Sequence, residues 1–524
     1  MCTSAFPMVR RADGGFRGSG DGSRNDERSL SDSRRRRAHR CAAGLALLAA
    51  WAGLAAGSVA AAPARPNILL VTADDLGLVA GCYGDATVRT PNLDALAVRG
   101  MLFEHAYVAQ ASCSPSRSAI FTGRYPHDNG QYGLTNAGVG FRLREPLVGQ
   151  TIPALLKPAG YRTAIVGKLH VDPAEAFPFD ERITVSDTRD VRAAAAACGK
   201  FLREQRGPFF LMANFTDPHA LGRRSEPGRH FDDQVKGIPE QPLAPGAAPP
   251  LPFQRIDTQE ELARVSQYYN AVMRFDAGVG LLLGELAASG HAGDTLVILL
   301  GDHGPPFVRG KTTCYEGGVR VPLLVAWPGV FAPDTRSEAL VSAVDIVPTI
   351  LEAAGVEPPP GLHGQSLRAS LDPARARRFL ATEFHYHGAH PFFPRRSIRD
   401  ARFKLIHNLR AGAAKPSEGI DGDEALAIAR TPAFAGTAVA AAFERAADPP
   451  EFELYDLAAD PWEFENLADR PEHGATLAML QAALLEWRTA TTDPLLTPEG
   501  YARVAAFEQA KKRPAAKQPR GRAR

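Results

Sequence analysis

Continuous apolar runs alternate with amphipathic stretches through the first three-fifths of the chain, and several of the runs stop abruptly at charged residues. Residues 67–72 lead to Asp74-Asp75, 163–166 to Lys168-Leu169-His170, 209–214 to Asp217-Pro218-His219, and 295–300 to Asp302-His303. Runs without polar alternation are expected of strands buried on both faces, as in a parallel sheet covered by helices. Between them, 91–99, 152–159 and 260–288 carry helical spacing, the last with an expected break at Gly278-Val279-Gly280. In such sheets ligands bind beyond the carboxyl ends of the strands. All four polar groups fall there, so the pattern predicts one shared site.

From about residue 361 the pattern changes. Residues 397–399 and 402–407 flank Asp400-Ala401 as a hairpin, 452–456 reads as a further strand, and 476–489 as a helix. The predicted fold is α/β, a mainly parallel sheet flanked by helices, with a smaller C-terminal antiparallel α+β domain. A length of 524 residues is consistent with roughly two domains, here 65–360 and 361–505. Residues 222–252, rich in Pro, Gly and charge, are expected to form a long surface loop beside the site. No internal repeat is visible.

Composition changes this picture mainly at the ends. The net charge of +2 conceals ten Arg against five acids in 1–40 and seven basic residues without an acid in 511–524. Removing those surpluses leaves the remainder near −10, which argues against a nucleic-acid-binding body. Residues 1–40 and 506–524 are expected to be basic and disordered. The order of basic residues at 34–40, an apolar stretch at 41–60 and small residues at 58–62 reads as a signal for export to the periplasm or beyond. An uncleaved membrane anchor is the alternative, although the stretch is barely long enough to span. Export would permit disulfides, but spacing alone cannot pair Cys82, Cys113, Cys198 and Cys314.

The chemistry centres on Ser112-Cys113-Ser114-Pro115-Ser116-Arg117, which opens a short predicted helix ending at Gly123. A helix N-terminus offers free N–H groups and the positive end of the dipole, so an anion is welcome beside Cys113. Arg117, one turn on, can reach the same end. Cys113-Ser114-Pro115-Ser116-Arg117 followed by Thr122-Gly123-Arg124 resembles the motif of the sulfatase family. The resemblance runs from about Arg65 to about Pro494 and implies an alkaline-phosphatase-like fold.

It also implies that Cys113 is oxidised to formylglycine by a dedicated maturation machinery. The hydrated aldehyde attacks sulfur with one hydroxyl and expels sulfate through the other, a two-step covalent mechanism. By the same resemblance Asp74, Asp75, Asp302 and His303, with the oxygen at position 113, hold one divalent ion, and hard oxygen ligands favour Ca²⁺. His303 stands where many members of the family carry Asn. Lys168 and Lys311 hold sulfate oxygens beside Arg117, His170 assists aldehyde re-formation, and His219 serves the leaving group.

Similarity around Ser112, Gln131-Tyr132-Gly133-Leu134, Phe307 and 403–408 extends to the branch of the family that acts on N-sulfated glucosamine, although Lys311 replaces that branch's Arg. The expected substrate is therefore a sulfated saccharide. An O-sulfatase, an arylsulfatase, and a phosphonate monoester or phosphodiester hydrolase remain open within the superfamily. A non-catalytic glycan-binding protein should have lost a ligand or the nucleophile, and none is missing. Glu383, His385, His387, His390 and Arg395 form a polar cluster that either contacts a sugar or lines a solvated loop. Homodimerisation is left open.

Overall fold

The computed structural model describes residues 65–135, 139–222, 229–388 and 390–511. The expected extension and export signal, and the tail beyond 511, lie outside the described residues. The large sheet contains β1 (Asn67–Ala73), β2 (Met101–Tyr107), β3 (Arg162–Gly167), β4 (Glu181–Ile183), β5 (Phe209–Phe215), β6 (Thr295–Gly301), β7 (Leu323–Ala326) and β8 (Thr335–Ser342). Their order is β8-β2-β7-β6-β1-β5-β3-β4. Only β7 runs against its neighbours, β2 and β6. The four apolar runs of the sequence are β1, β3, β5 and β6, adjacent at the centre, where burial on both faces demands such runs.

Alternation along these strands divides the core in two. Leu69, Val71, Leu211, Ala213, Val297 and Leu299 pack with α1 (Pro91–Arg99), α3 (Val191–Glu204) and α4 (Gln259–Ala288). Ile68, Leu70, Phe210, Met212, Leu296 and Ile298 pack on the other face with α2 (Cys113–Thr122) and α5 (Ile346–Ala354). The break expected in α4 does not occur. Gly278 lies where a Cβ would meet Phe215 at 2.8 Å and Val191 at 2.9 Å, so the glycine serves close packing rather than helix termination.

The second sheet is antiparallel, β9 (Leu380–Phe384), β10 (Arg395–Arg399), β11 (Phe403–Asn408) and β12 (Phe452–Asp456), in that order. Ile398, Leu405 and Leu454 bury against Leu480 and Leu484 of α6 (Gly474–Ala490). Two further expectations need correction. Residues 222–252 are not simply a surface loop, because Phe231, Ile238, Ala248 and Leu251 are buried in the core beside α4. Residues 506–511, expected to be disordered, belong to α7 (Pro498–Lys511), and Phe507 packs 4.9 Å from Phe141. The cysteines at 82, 113, 198 and 314 are all free. Among the described residues no helix is long and apolar enough to cross a membrane.

Candidate active site

Register brings the polar groups together. Ala73 pairs with both Phe215 and Gly301, and Gly167 with Asn214, so β6, β1, β5 and β3 end level with one another. Asp74-Asp75, Asp302-His303, Lys168 to His170, and Asp217 to His219 emerge from these ends. Gly167 has φ 79°, and a Cβ there would run into the carbonyl of Asn214. No other residue suits that close turn. Asp75 and His170 hold left-handed φ values of 69° and 55°, conformations that non-glycine residues adopt mainly where surrounding structure enforces them.

Cys113 is the first residue of α2, whose residues are all buried. Ser112, the extended N-cap, makes no capping bond because its hydroxyl is engaged with Nδ1 of His387 at 2.8 Å. The N–H groups of Cys113 and Ser114 therefore receive no side-chain cap from Ser112, and Pro115 has no N–H to satisfy. Gly123, at φ 65°, closes the helix and donates its N–H to Ala119. The Cys113 sulfur lies 3.5 Å from Oδ1 of Asp74 and 3.3 Å from Nε2 of His303. Nδ1 of His303 meets the carbonyl of Gly304 at 2.9 Å, a bond that leaves the Nε2 lone pair facing Cys113 when the ring is neutral.

Cations surround this sulfur. Lys168 Nζ pairs with Oδ2 of Asp74 at 2.5 Å, and Lys311 Nζ with Oδ1 of Asp75 at 2.9 Å. Arg117 donates through Nε to Oδ2 of Asp302 at 2.9 Å and through Nη1 to the carbonyl of Lys168 at 3.0 Å. Burial raises the Cys113 thiol's pKa, but Lys168, Lys311 and His303 outweigh it and hold the group well below the ordinary thiol value. Burial and the Cys113 sulfur likewise push Asp74 upward, yet Lys168, His219 and Arg117 keep its carboxyl below the usual range. His219 anchors Nδ1 on the carbonyl of Ala220 at 2.7 Å and points Nε2 to within 4.0 Å of Asp75. Its burial disfavours the cation, but Asp75 and Asp74 raise its pKa.

The site has the makings of a metal centre. Asp74, Asp75, Cys113 and His303 each offer a ligand atom, all within 4.8 Å of one another. Oδ2 of Asp75 is buried and has no hydrogen-bond partner among the described residues, an oxygen that a cation would satisfy. Asp302, expected as a further ligand, stands outside that set. Its oxygens accept from Arg117 Nε and from the backbone N–H of Asp75 at 3.0 Å, although Oδ1 remains 3.6 Å from His303. The donors present are carboxylate oxygens, one imidazole and the Cys113 sulfur, a set able to hold a divalent ion.

The structure places His170 near Cys113 as well, among the groups that lower the thiol's pKa. Reasoning from sequence missed Asp421, which pairs with Lys311 at 3.0 Å and gathers with Asp75 and His219. Its only local signal was an Asp-Gly-Asp turn. The cluster from Glu383 to Arg395 is no solvated loop. His387 holds Ser112, while His385 meets Gln110 at 3.1 Å and Arg396 at 3.0 Å.

Glu383 accepts from the backbone N–H of His127 at 2.9 Å and meets its Nδ1 at 2.6 Å. Burial raises this carboxyl, but His127 and Arg396 prevail and lower its pKa from 4.5 to about 2. Its contribution is thus fully present above pH 4.5 and is lost as pH falls toward about 2. At about 1.4 kcal/mol per unit the contribution is about 3 kcal/mol. Urea unfolding at about pH 6 and about pH 3 should find Glu383→Gln less stable than wild type at the higher pH and less sensitive to acid. Equal acid sensitivity of the two proteins would refute the coupling.

The family model described as Sulfatase matches residues 66–356, more than half of the chain. The chain belongs to the sulfatase family. A second model, described as N-sulphoglucosamine sulphohydrolase, C-terminal, matches residues 301–415. Human N-sulphoglucosamine sulphohydrolase is 35% identical over 83% of this chain and 93% of its own length. Human arylsulfatase A is 31% identical over 82% of this chain and 88% of its own. Solved structures share the sulfatase fold at lower identity. One, in complex with its substrate D-glucosamine-2-N,6-O-disulfate, has a TM-score of 0.59 and 22% identity, covering 82% of this chain and 98% of that one. The phosphonate monoester hydrolase of Agrobacterium radiobacter has a TM-score of 0.58 and 22% identity, covering 82% of this chain and 96% of that one.

Proposed function

We propose that this sulfatase removes the N-sulfate of glucosamine in heparan-type saccharides, with Cys113 matured to formylglycine and one divalent ion, Ca²⁺, at the site. The observation that carries the reading is the convergence of Asp74, Asp75, Lys168, Lys311 and His303 on Cys113 at a helix N-terminus. The substrate class rests on the likeness to N-sulphoglucosamine sulphohydrolase across most of that protein's length. The basic, apolar and small residues from 34 to 62 support export, where such saccharides would be met.

Position 113 as hydrated formylglycine would supply one hydroxyl to attack sulfur and another to release sulfate, and Asp74, Asp75, residue 113 and His303, with Asp302 beside them, would hold a divalent ion whose charge would sharpen that nucleophile. Lys168 and Lys311 bind sulfate oxygens from either side. Arg117, fully buried, holds Asp302 and Asp74 in place beneath them. His219, with Nδ1 fixed on Ala220, presents Nε2 to the bridging atom and delivers a proton as the sulfur–nitrogen bond breaks. His170 holds the proton that must leave the second hydroxyl.

An amine departs poorly unless protonated, so His219→Ala should lower kcat on N-sulfoglucosamine by roughly 10²–10⁴. An aryl sulfate, whose phenolate leaves unaided, should lose far less. Equal losses on both substrates would assign His219 to binding. The substrate assignment is tested by comparing kcat/KM for N-sulfated and 6-O-sulfated glucosamine on one preparation, following released sulfate. N-sulfate should be preferred. A preference of about tenfold or more for the 6-O-sulfate, about 1.4 kcal/mol in transition-state binding, would replace the reading with an O-sulfatase.

A further inference from the structure

A cavity shares Lys311 with the site and is walled besides by Phe384, His390, Phe393, Arg395 and the segment around Ser417. Two links tie it to Cys113. Lys311 lines the cavity and pairs with Asp75, and His390 packs its ring 5.2 Å from that of His387, which holds Ser112.

Arg395 is the unusual member. It is 4% exposed, yet its Nε has no acceptor among the described residues, and its guanidinium is paired with no carboxylate among them. The other buried cations of the same sheet are all paired. Arg396 meets Asp493 at 2.8 Å, Arg399 meets Glu316 at 3.4 Å, and Lys404 meets Glu316 at 3.0 Å. A buried charge without a partner is costly to fold around, so a lone one at a cavity wall calls for a ligand. The guanidinium carbon lies over the ring of Phe393, 5.0 Å from its centroid, and a guanidinium fork presents its N–H groups in its own plane. Such a fork suits the paired oxygens of a sulfate or carboxylate. Val308, Ile420, Leu426 and Phe443 make the wall's apolar part, and its carboxylate, Glu418, is paired with Arg430 at 3.1 Å.

We infer that this cavity is a second anion subsite, in which Arg395 binds a sulfate or carboxylate on the same saccharide whose scissile sulfate lies at Cys113. The inference rests on the proposed saccharide substrate. Three substrates test it: N-sulfoglucosamine, its 6-O-sulfated form, and N-sulfoglucosamine linked to a hexuronate. For wild type, kcat/KM on one doubly anionic substrate should exceed that on the first, with the difference carried by KM. Arg395→Gln should shrink that ratio about tenfold. Ser417→Glu, an exposed change at the cavity wall that leaves Arg395 in place, should shrink it in the same direction. Which ratio collapses identifies sulfate or carboxylate as the ligand. A structural Arg395 would lower all three rates in proportion, and unchanged ratios overturn the inference. If wild type cleaves none of these saccharides, the substrate reading fails by itself. Competitive inhibition of aryl sulfate hydrolysis by glucosamine 6-sulfate or glucuronate, weakened in both variants, would then still support the subsite, and its insensitivity to both would refute it.

Discussion

Cys113→Ala is expected to abolish turnover of every sulfate substrate, a loss of roughly 10⁶ in kcat by comparison with removal of other covalent nucleophiles. The neighbouring Ser112 hydroxyl is committed to His387, and that of Ser116 is bonded to the backbone carbonyl of Asp302. Cys113→Ser should be nearly as damaging, because an unmatured hydroxyl can attack once but cannot release sulfate by re-forming a carbonyl. Mass spectrometry of the peptide containing residue 113 from active wild-type enzyme should show the aldehyde in place of the thiol. Full activity with only thiol present would remove the covalent mechanism, while leaving the gathered carboxylates to be explained. Chelation should inactivate the wild type reversibly and leave the already inactive Cys113→Ala folded.

Arg117→Met is expected to produce the second largest effect, on folding as well as on catalysis. Arg117 is wholly buried and lies between Asp302 at 2.9 Å and Asp74 at 3.7 Å. Its removal would leave those carboxylates facing each other in a site that excludes water. Breaking a buried charge pair from one side typically costs about 3–5 kcal/mol. Asp302 already has its carboxyl raised to about 6, by burial and then by Asp74, and loses in this variant the guanidinium that opposes the shift. Denaturant unfolding at neutral pH measures the loss, and released sulfate measures the accompanying fall in activity. A variant as stable as wild type would show that Arg117 does not hold the carboxylates in place.

Much of the fold was legible because burial leaves a plain mark on sequence. Strands covered on both faces must be apolar throughout, so β1, β3, β5 and β6 announced themselves, and the polar residues after each had to lie at one end of the sheet. The outer strands were less legible. β2 carries Glu104 and His105, both partly exposed, β7 has four residues, and β8 mixes exposed and buried positions. The glycines in α4 suggested a break because helix propensity penalises glycine, and packing against Phe215 and Val191 overrode that local preference.

The sequence by itself singled out Cys113, the carboxylates, the cations and the histidines of the site, because each belongs to a short motif at a strand or helix end. Only the tertiary structure decided how they are partnered. Arg117 turned out to hold Asp302 and Asp74, Lys311 to bridge Asp75 and Asp421, and His387 to hold the hydroxyl of Ser112, the N-cap of α2. These contacts join residues separated by tens to hundreds of positions. No periodicity or spacing encodes such a distance, since it is set by which strand ends the sheet brings level and by what the second sheet packs against them.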